Sequence, residues 1–133
     1  MTNVNRYRGI ENPFGHIWKW TDGINIRIQA DNAGALSQMY TCSDPAKFSN
    51  TDYAGYTLRG NIARIEGYVK EILFGPNGDM LPAVVGGSST TYLCDYFYTS
   101  LPAGGESLRG VLFGGLATSG SNAGLGCALT YYA

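Results

Sequence analysis

Apolar and polar residues alternate most cleanly at three places along the chain. Ile24, Ile26 and Ile28 are separated by Asn25, Arg27 and Gln29. That period of two predicts a strand with one apolar and one wet face. Across residues 90–99, Tyr92, Cys94, Tyr96 and Tyr98 fall on one side, with Leu93, Asp95 and Phe97 on the other. Near the end, Leu125, Cys127, Leu129 and Tyr131 alternate with Gly126, Ala128, Thr130 and Tyr132. This predicts a last strand whose small residues let another backbone or ring approach closely. Left as a bare edge, such a strand would be an aggregation hazard, so it is expected to be covered. Shorter strands are predicted at residues 38–42 and at 109–113, the latter ending on Gly114-Gly115.

Breaker residues separate these runs. Gly9, Asn12-Pro13 and Gly15 leave room for no more than a short, broken helix in residues 7–15. Ile17-Trp18-Lys19-Trp20 leads into Thr21-Asp22-Gly23, which reads as a turn before the isoleucine strand. Residues 31–34 read as a turn, and the polar residues 43–60 as a long surface loop with one helical turn at most. Between Asn61 and Phe74 the spacing of Ile62, Ile65, Val69, Ile72 and Leu73 fits a helix. Gly67 and the β-branched side chains fit a strand, and both readings stand. Gly75-Pro76-Asn77-Gly78-Asp79 is a turn on either reading. The plan is four to six short strands, one or two short helices and long loops.

Composition narrows this to one β-rich domain over residues 1–133. Charged residues are 14% of the chain, against roughly 25% in ordinary globular proteins. The 19 glycines are about twice the usual share. Ten Tyr, five Phe and two Trp add large side chains, most of them with a polar tip. The net charge is −1 and the nine Lys and Arg are scattered, so nothing resembles a phosphate-binding stripe and nucleic acid is not an expected partner. No run of 18 apolar residues exists for membrane insertion, and the N-terminus lacks the apolar core of a signal peptide.

Candidate chemistry is sparse. His16 is the only histidine, and a triad or a Cys-His pair would need it as general base. Set between Gly15 and Ile17 beside two tryptophans, it reads as a packed structural residue. Cys42, Cys94 and Cys127 are odd in number, lack metal-ligand spacing and read as free buried thiols. The aspartates fall mostly in turns, where they cap backbone N–H groups. Gly114-Gly115 and Gly120 to Gly124 are not followed by a helix, so they read as tight turns rather than a phosphate cradle. Trp18 and Trp20 form either a core element, the favoured reading beside Ile17 and Ile24, or a sugar-stacking platform. Tyr92, Tyr96 and Tyr98 suit either a contact surface or a half-buried sheet face. No catalytic residue, metal or cofactor is expected.

Several blocks carry a resemblance. The stretch from Tyr7-Arg8-Gly9-Ile10-Glu11-Asn12-Pro13-Phe14-Gly15-His16 through Ile17-Trp18-Lys19-Trp20-Thr21-Asp22-Gly23-Ile24-Asn25 resembles structural and fibre proteins of gut bacteriophages. So do Cys42-Ser43-Asp44-Pro45-Ala46-Lys47-Phe48, Leu81-Pro82, Gly86-Gly87-Ser88-Ser89-Thr90-Thr91-Tyr92 and Cys94-Asp95-Tyr96-Phe97-Tyr98. More distantly, Gly15-His16-Ile17-Trp18-Lys19-Trp20 is similar to an element of formylglycine-generating-enzyme domains. Leu112-Phe113-Gly114-Gly115 with Gly120 and Ala123-Gly124-Leu125 is similar to a segment of retroelement variable proteins.

The fold this resemblance implies is α+β and β-rich. It is C-type-lectin-like, a small twisted antiparallel sheet with one or two short helices and long loops. The implied function is a virion surface module in a tail or head fibre that binds a bacterial receptor or glycan. The alternative is a purely structural virion part, a capsid decoration or fibre-tip subunit acting by assembly. Partners would be other virion proteins and the host surface, in a particle assembled in the host cytoplasm, with the homotrimer common among fibres. By position in the resembling segment, the ligand-binding residues would be Leu116, Ala117, Thr118, Ser119, Ser121, Ala128, Thr130 and Tyr132.

Two departures matter. Leu116-Ala117-Thr118-Ser119 replaces the Trp-Asn-Asn that often follows the family's double glycine. The chain also stops at Tyr131-Tyr132-Ala133, short of the family's closing strand, so either the chain is cut or another chain supplies that pairing. No motif matches the cysteines of the formylglycine enzymes, and that activity is not implied.

Overall fold

A computed structural model describes residues 6–131. It is β-rich, with ten strands and, among the described residues, no α-helix. Its helical content is three 3-10 turns at Asp31–Ala33, Pro45–Lys47 and Gly120–Asn122. The short helices of the expected plan are thus reduced to single turns.

The chain opens with a ribbon of β1 (Arg6–Tyr7) and β2 (Ile10–Glu11). The two residues between them, Arg8 and Gly9, have φ of 49° and 83°. Positive φ at both central positions is what a type I′ hairpin turn requires. The segment expected to hold a broken helix is therefore a tight hairpin.

The remaining strands form one sheet: β3 (Lys19–Gln29), β4 (Ser37–Thr41), β5 (Thr57–Asn61), β6 (Gly67–Phe74), β7 (Met80–Val85), β8 (Tyr96–Tyr98), β9 (Glu106–Phe113) and β10 (Ala128–Leu129). Their order is β5-β4-β3-β9-β10-β8-β6-β7. Every pairing is antiparallel except β10 with β8. The sheet curls until its ends nearly meet: the Ala63 N–H, just past β5, donates to the Pro82 carbonyl of β7 at 3.0 Å. Inside the curl sit Ile24, Ile26, Ile28, Met39, Val69, Leu81, Phe97, Val111 and Ala128.

The isoleucine strand is as expected on its inner face and different on its outer one. Asn25 and Gln29 are buried as well, because residues 49–52 lie across them: the Asn25 amide donates to the carbonyls of Ser49 (2.7 Å) and Asp52 (2.9 Å). Asp22-Gly23 is not a turn. β3 runs through it, pairing with β9 from Lys19↔Phe113 to Thr21↔Val111 and again from Ile26↔Arg109 onward, with a bulge between. Gly23 has φ of 78°, and a Cβ there would lie 2.4 Å from the Cys42 carbonyl oxygen, so the bulge needs glycine.

Residues 61–74, open between helix and strand, supply β6, and the turn at 75–79 closes on a Gly75 N–H to Asp79 carbonyl bond of 2.7 Å. β7 and β5 arise where no strand was predicted. Conversely, the strand expected over residues 90–99 shrinks to β8. Ser88 and Thr91 bond each other locally, and Tyr92 and Cys94 take left-handed backbone (φ 56° and 61°). Hydroxyl-rich sequence here satisfies itself in a turn rather than a ladder.

The last strand is also shorter than expected and, as expected, covered: β10 lies between β8 and β9. Its approach is fixed by Asp95, whose carboxylate accepts the Gly126 N–H at 2.7 Å. A Cβ on Gly124 would fall 1.9 Å from the same carboxylate. The small residues there admit a side chain, as their spacing suggested.

Candidate functional site

The segment that the sequence singled out begins where β9 ends. The Gly114 N–H donates to the Cys127 carbonyl (2.9 Å), and Gly115 turns the chain with φ of 76°. Leu116 then bridges His16, with the Ala117 N–H donating to the His16 carbonyl at 3.1 Å. The Ser119 hydroxyl accepts the Leu116 N–H at 2.9 Å and closes a small turn. Leu116, Ala117, Thr118 and Ser121 are exposed and Ser119 is half-buried, so these five lie together on one anchored loop.

The other three proposed ligand-binding residues do not join them. Ala128 is 0% exposed and belongs to the core cluster. Thr130 is also 0% exposed. Its hydroxyl donates to the Thr99 hydroxyl (2.8 Å) and its carbonyl accepts from Arg109 (3.0 Å). Both residues face inward because β10 is an interior strand rather than an edge. Tyr132 lies outside the described residues.

Beside the loop is an aromatic cluster that sequence reading found only in part. Tyr96 and Tyr98 share a face of β8 as their alternation predicted, with ring centroids 4.6 Å apart. Tyr68 meets Tyr96 edge-on at 5.0 Å, and Trp18 meets Tyr98 edge-on at 5.9 Å. Asn122 ties the loop to this cluster: its amide donates to the Tyr98 hydroxyl and its carbonyl oxygen accepts from Tyr68, both at 3.0 Å. Tyr131 donates to Glu66. Burial and that carboxylate push its phenol up to about 12, so it stays a neutral donor at physiological pH. No local pattern could have joined Tyr68, Asn122 and Tyr131, which come from three distant stretches. Tyr92, grouped with Tyr96 and Tyr98 by alternation, is carried away by its left-handed backbone and stands exposed beside Lys70.

The two tryptophans part company. Trp18 is half-buried, while Trp20 is 63% exposed, so the expectation of a buried pair fails. Trp20 stands at the β3 bulge, over Gly110 of β9, and forms one wall of a cleft of about 430 Å³. Phe48 and Tyr56 line the same cleft.

His16 is exposed rather than packed, and its backbone is its structural contribution. All three cysteines are free. Cys127 alone is fully buried, which with the Asp95 charge raises its thiol to about 12, whereas Cys42 and Cys94 are half-buried. Among the described residues, no group of three His, Cys, Asp or Glu side chains is placed to hold a metal ion, and no helix is long and apolar enough to cross a membrane. The chain matches no family model, no curated protein and no solved structure.

Proposed function

We propose that this domain is a surface module of a bacteriophage particle, part of a tail or head fibre, that binds a bacterial receptor or glycan by contact rather than catalysis. The observation that carries the reading is the loop of Leu116, Ala117, Thr118, Ser119 and Ser121, exposed at its tip and anchored at both ends. Binding residues are commonly carried on loops held by a rigid scaffold. Here the scaffold is a curled sheet, and the loop abuts aromatic rings whose polar tips suit a polar surface. The resemblance to fibre proteins and to the C-type-lectin-like domains supplies the biological setting.

The test is adsorption of the labelled domain to host bacteria and to a glycan array. Wild type is expected to bind, and an Ala117→Arg/Thr118→Arg double variant to lose binding with an unchanged melting profile. A well-folded domain silent on every host strain and glycan would overturn the proposal.

A second reading, assembly within the virion, draws on Leu58, Ile65, Phe74 and Val84. These exposed apolar residues lie on or beside the strands at the open seam of the sheet. Light scattering separates the readings: a tight trimer supports assembly, and a monomer at high concentration counts against it.

A further inference from the structure

We propose that the cleft at the β3 bulge is a second binding site, distinct from the 116–121 loop, and that it takes a neutral sugar ring stacked on Trp20.

The cleft exists because two strands disagree in length. Between Thr21 and Ile26, β3 runs through four residues while β9 supplies only Gly110, so β3 swings away from its partner. Bulges of this kind re-aim side chains and recur next to functional sites. The side chain re-aimed here is Trp20. Its ring passes so close to Gly110 that an added Cβ would lie 3.0 Å from it, yet the indole is still 63% exposed. Leaving that much indole in water is costly unless something else covers it.

The opposite wall is preformed. Phe48 and Tyr56 come from the loop that the Asn25 amide pins through Ser49 and Asp52. The Tyr56 hydroxyl holds the same Ser49, accepting its N–H at 3.2 Å. Ligand sites are usually preformed in this way, and about 430 Å³ lies within the range of roughly 300–1,000 Å³ typical of small-molecule sites.

The ligand class follows from the lining. Thr21, Asp22 and Asn50 line the cleft, and no hydrogen bond to any of their side chains is made among the described residues, leaving a hydroxyl, a carboxylate and an amide for a ligand. A pyranose offers a flat C–H face to a ring and hydroxyls around its rim, which matches one aromatic plate ringed by short polar groups. Anionic ligands are disfavoured by Asp22. The lining cation, Arg109, has its guanidinium engaged by Ser100, Ser107 and Thr130. A nucleotide therefore finds a ring to stack on but no cation for its phosphate.

The test is an NMR titration of the isotope-labelled domain with methyl glycosides of glucose, galactose, mannose and N-acetylglucosamine, read at the Trp20 indole and the Asn50 amide. At least one neutral glycoside is expected to shift both saturably. Trp20→Ala is expected to weaken that binding at least about tenfold. Since Trp20 also covers Gly110, Asn50→Ala on the exposed loop gives an independent arm and is expected to weaken binding without changing the melting profile. Absence of saturable shifts with all four glycosides overturns the proposal, as does binding that survives both substitutions. The Ala117→Arg/Thr118→Arg variant is expected to bind the glycoside normally, so failure of the loop reading and failure of this one are separately visible.

Discussion

At the scale of single residues, polar groups inside the sheet fix where the chain goes. Asp95 shows this with a testable sign. It is half-buried, and desolvation raises its carboxyl above the ordinary carboxylate value even though the Gly126 N–H bond works the other way. A carboxyl whose folded value is raised holds its proton better when folded. Its contribution to stability is therefore most favourable at low pH and is lost as pH rises from the ordinary value through the raised one. Asp95→Asn keeps an oxygen for the Gly126 N–H and removes the charge. The variant is expected to resist urea better than wild type at pH 7, with the gap closing as pH falls to about 4. Removing the charge also takes away one of the causes that raise Cys127, so alkylation of that thiol in the variant should be faster at alkaline pH. Urea curves that keep their separation down to acid pH would show that the charge is not the cause. Glu106 works in the opposite sense: desolvation opposes ionisation, but the bonds from Arg27 (2.7 Å) and Gln29 (3.0 Å) hold its carboxyl below the usual range.

At the scale of elements, the determining event is the bulge in β3, and it explains why local reading went astray there. Asp-Gly between alternating runs is the usual mark of a hairpin turn. Gly23 does use its left-handed freedom, but to let β3 step aside from β9 while its carbonyl still accepts the Cys42 N–H at 2.8 Å. Gly78 has nearly the same backbone angle, φ of 81°, with nothing within 4 Å of an added Cβ. Alanine at the two sites therefore separates backbone strain from close approach. Gly78→Ala is expected to cost about 1–2 kcal/mol, the left-handed penalty. Gly23→Ala should cost more than that and disturb the cleft, measured by chemical denaturation and by the Trp20 indole shift. Equal costs would mean that the Cys42 carbonyl yields freely.

What was legible in the sequence follows the same logic. The inner face of Ile24, Ile26 and Ile28, the turn at residues 75–79, the pairing of Tyr96 with Tyr98 and the covered last strand rest on local pattern or on small residues, and each is found. β5 and β7 were invisible because Thr57–Asn61 reads as polar loop and Met80–Val85 carries a proline and no alternation. Of the candidate loop, Leu116 to Ser121 could be placed by position. The burial of Ala128 and Thr130 could not, because it depends on β8 lying alongside β10, a pairing across some thirty residues that periodicity does not encode.

At the scale of the whole molecule, the long-range pairings make one cooperative unit. β3 is joined to β9, and β10 to both β8 and β9, so neither end of the chain can leave without breaking the middle of the sheet. Phe97 is the largest side chain with no exposed surface, and it belongs to β8 while packing into the cluster that Ile24, Ile26, Ile28, Met39 and Val111 supply from β3, β4 and β9. Truncating it removes contacts on both sides of the curl at once. Phe97→Ala is expected to cost about 3–5 kcal/mol, a large part of the roughly 5–15 kcal/mol that holds an ordinary domain together. Both the binding loop and the cleft are built on this sheet, so loss of the core should remove them together. The measurement is urea unfolding followed separately by Trp20 fluorescence and by far-ultraviolet dichroism. The two transitions should coincide and move together to lower urea in the variant. If the β3–β4–β5 half retained its signal while the β6–β7–β8 half unfolded, the curled sheet would be two units and the interior place of β10 would not be what unites them.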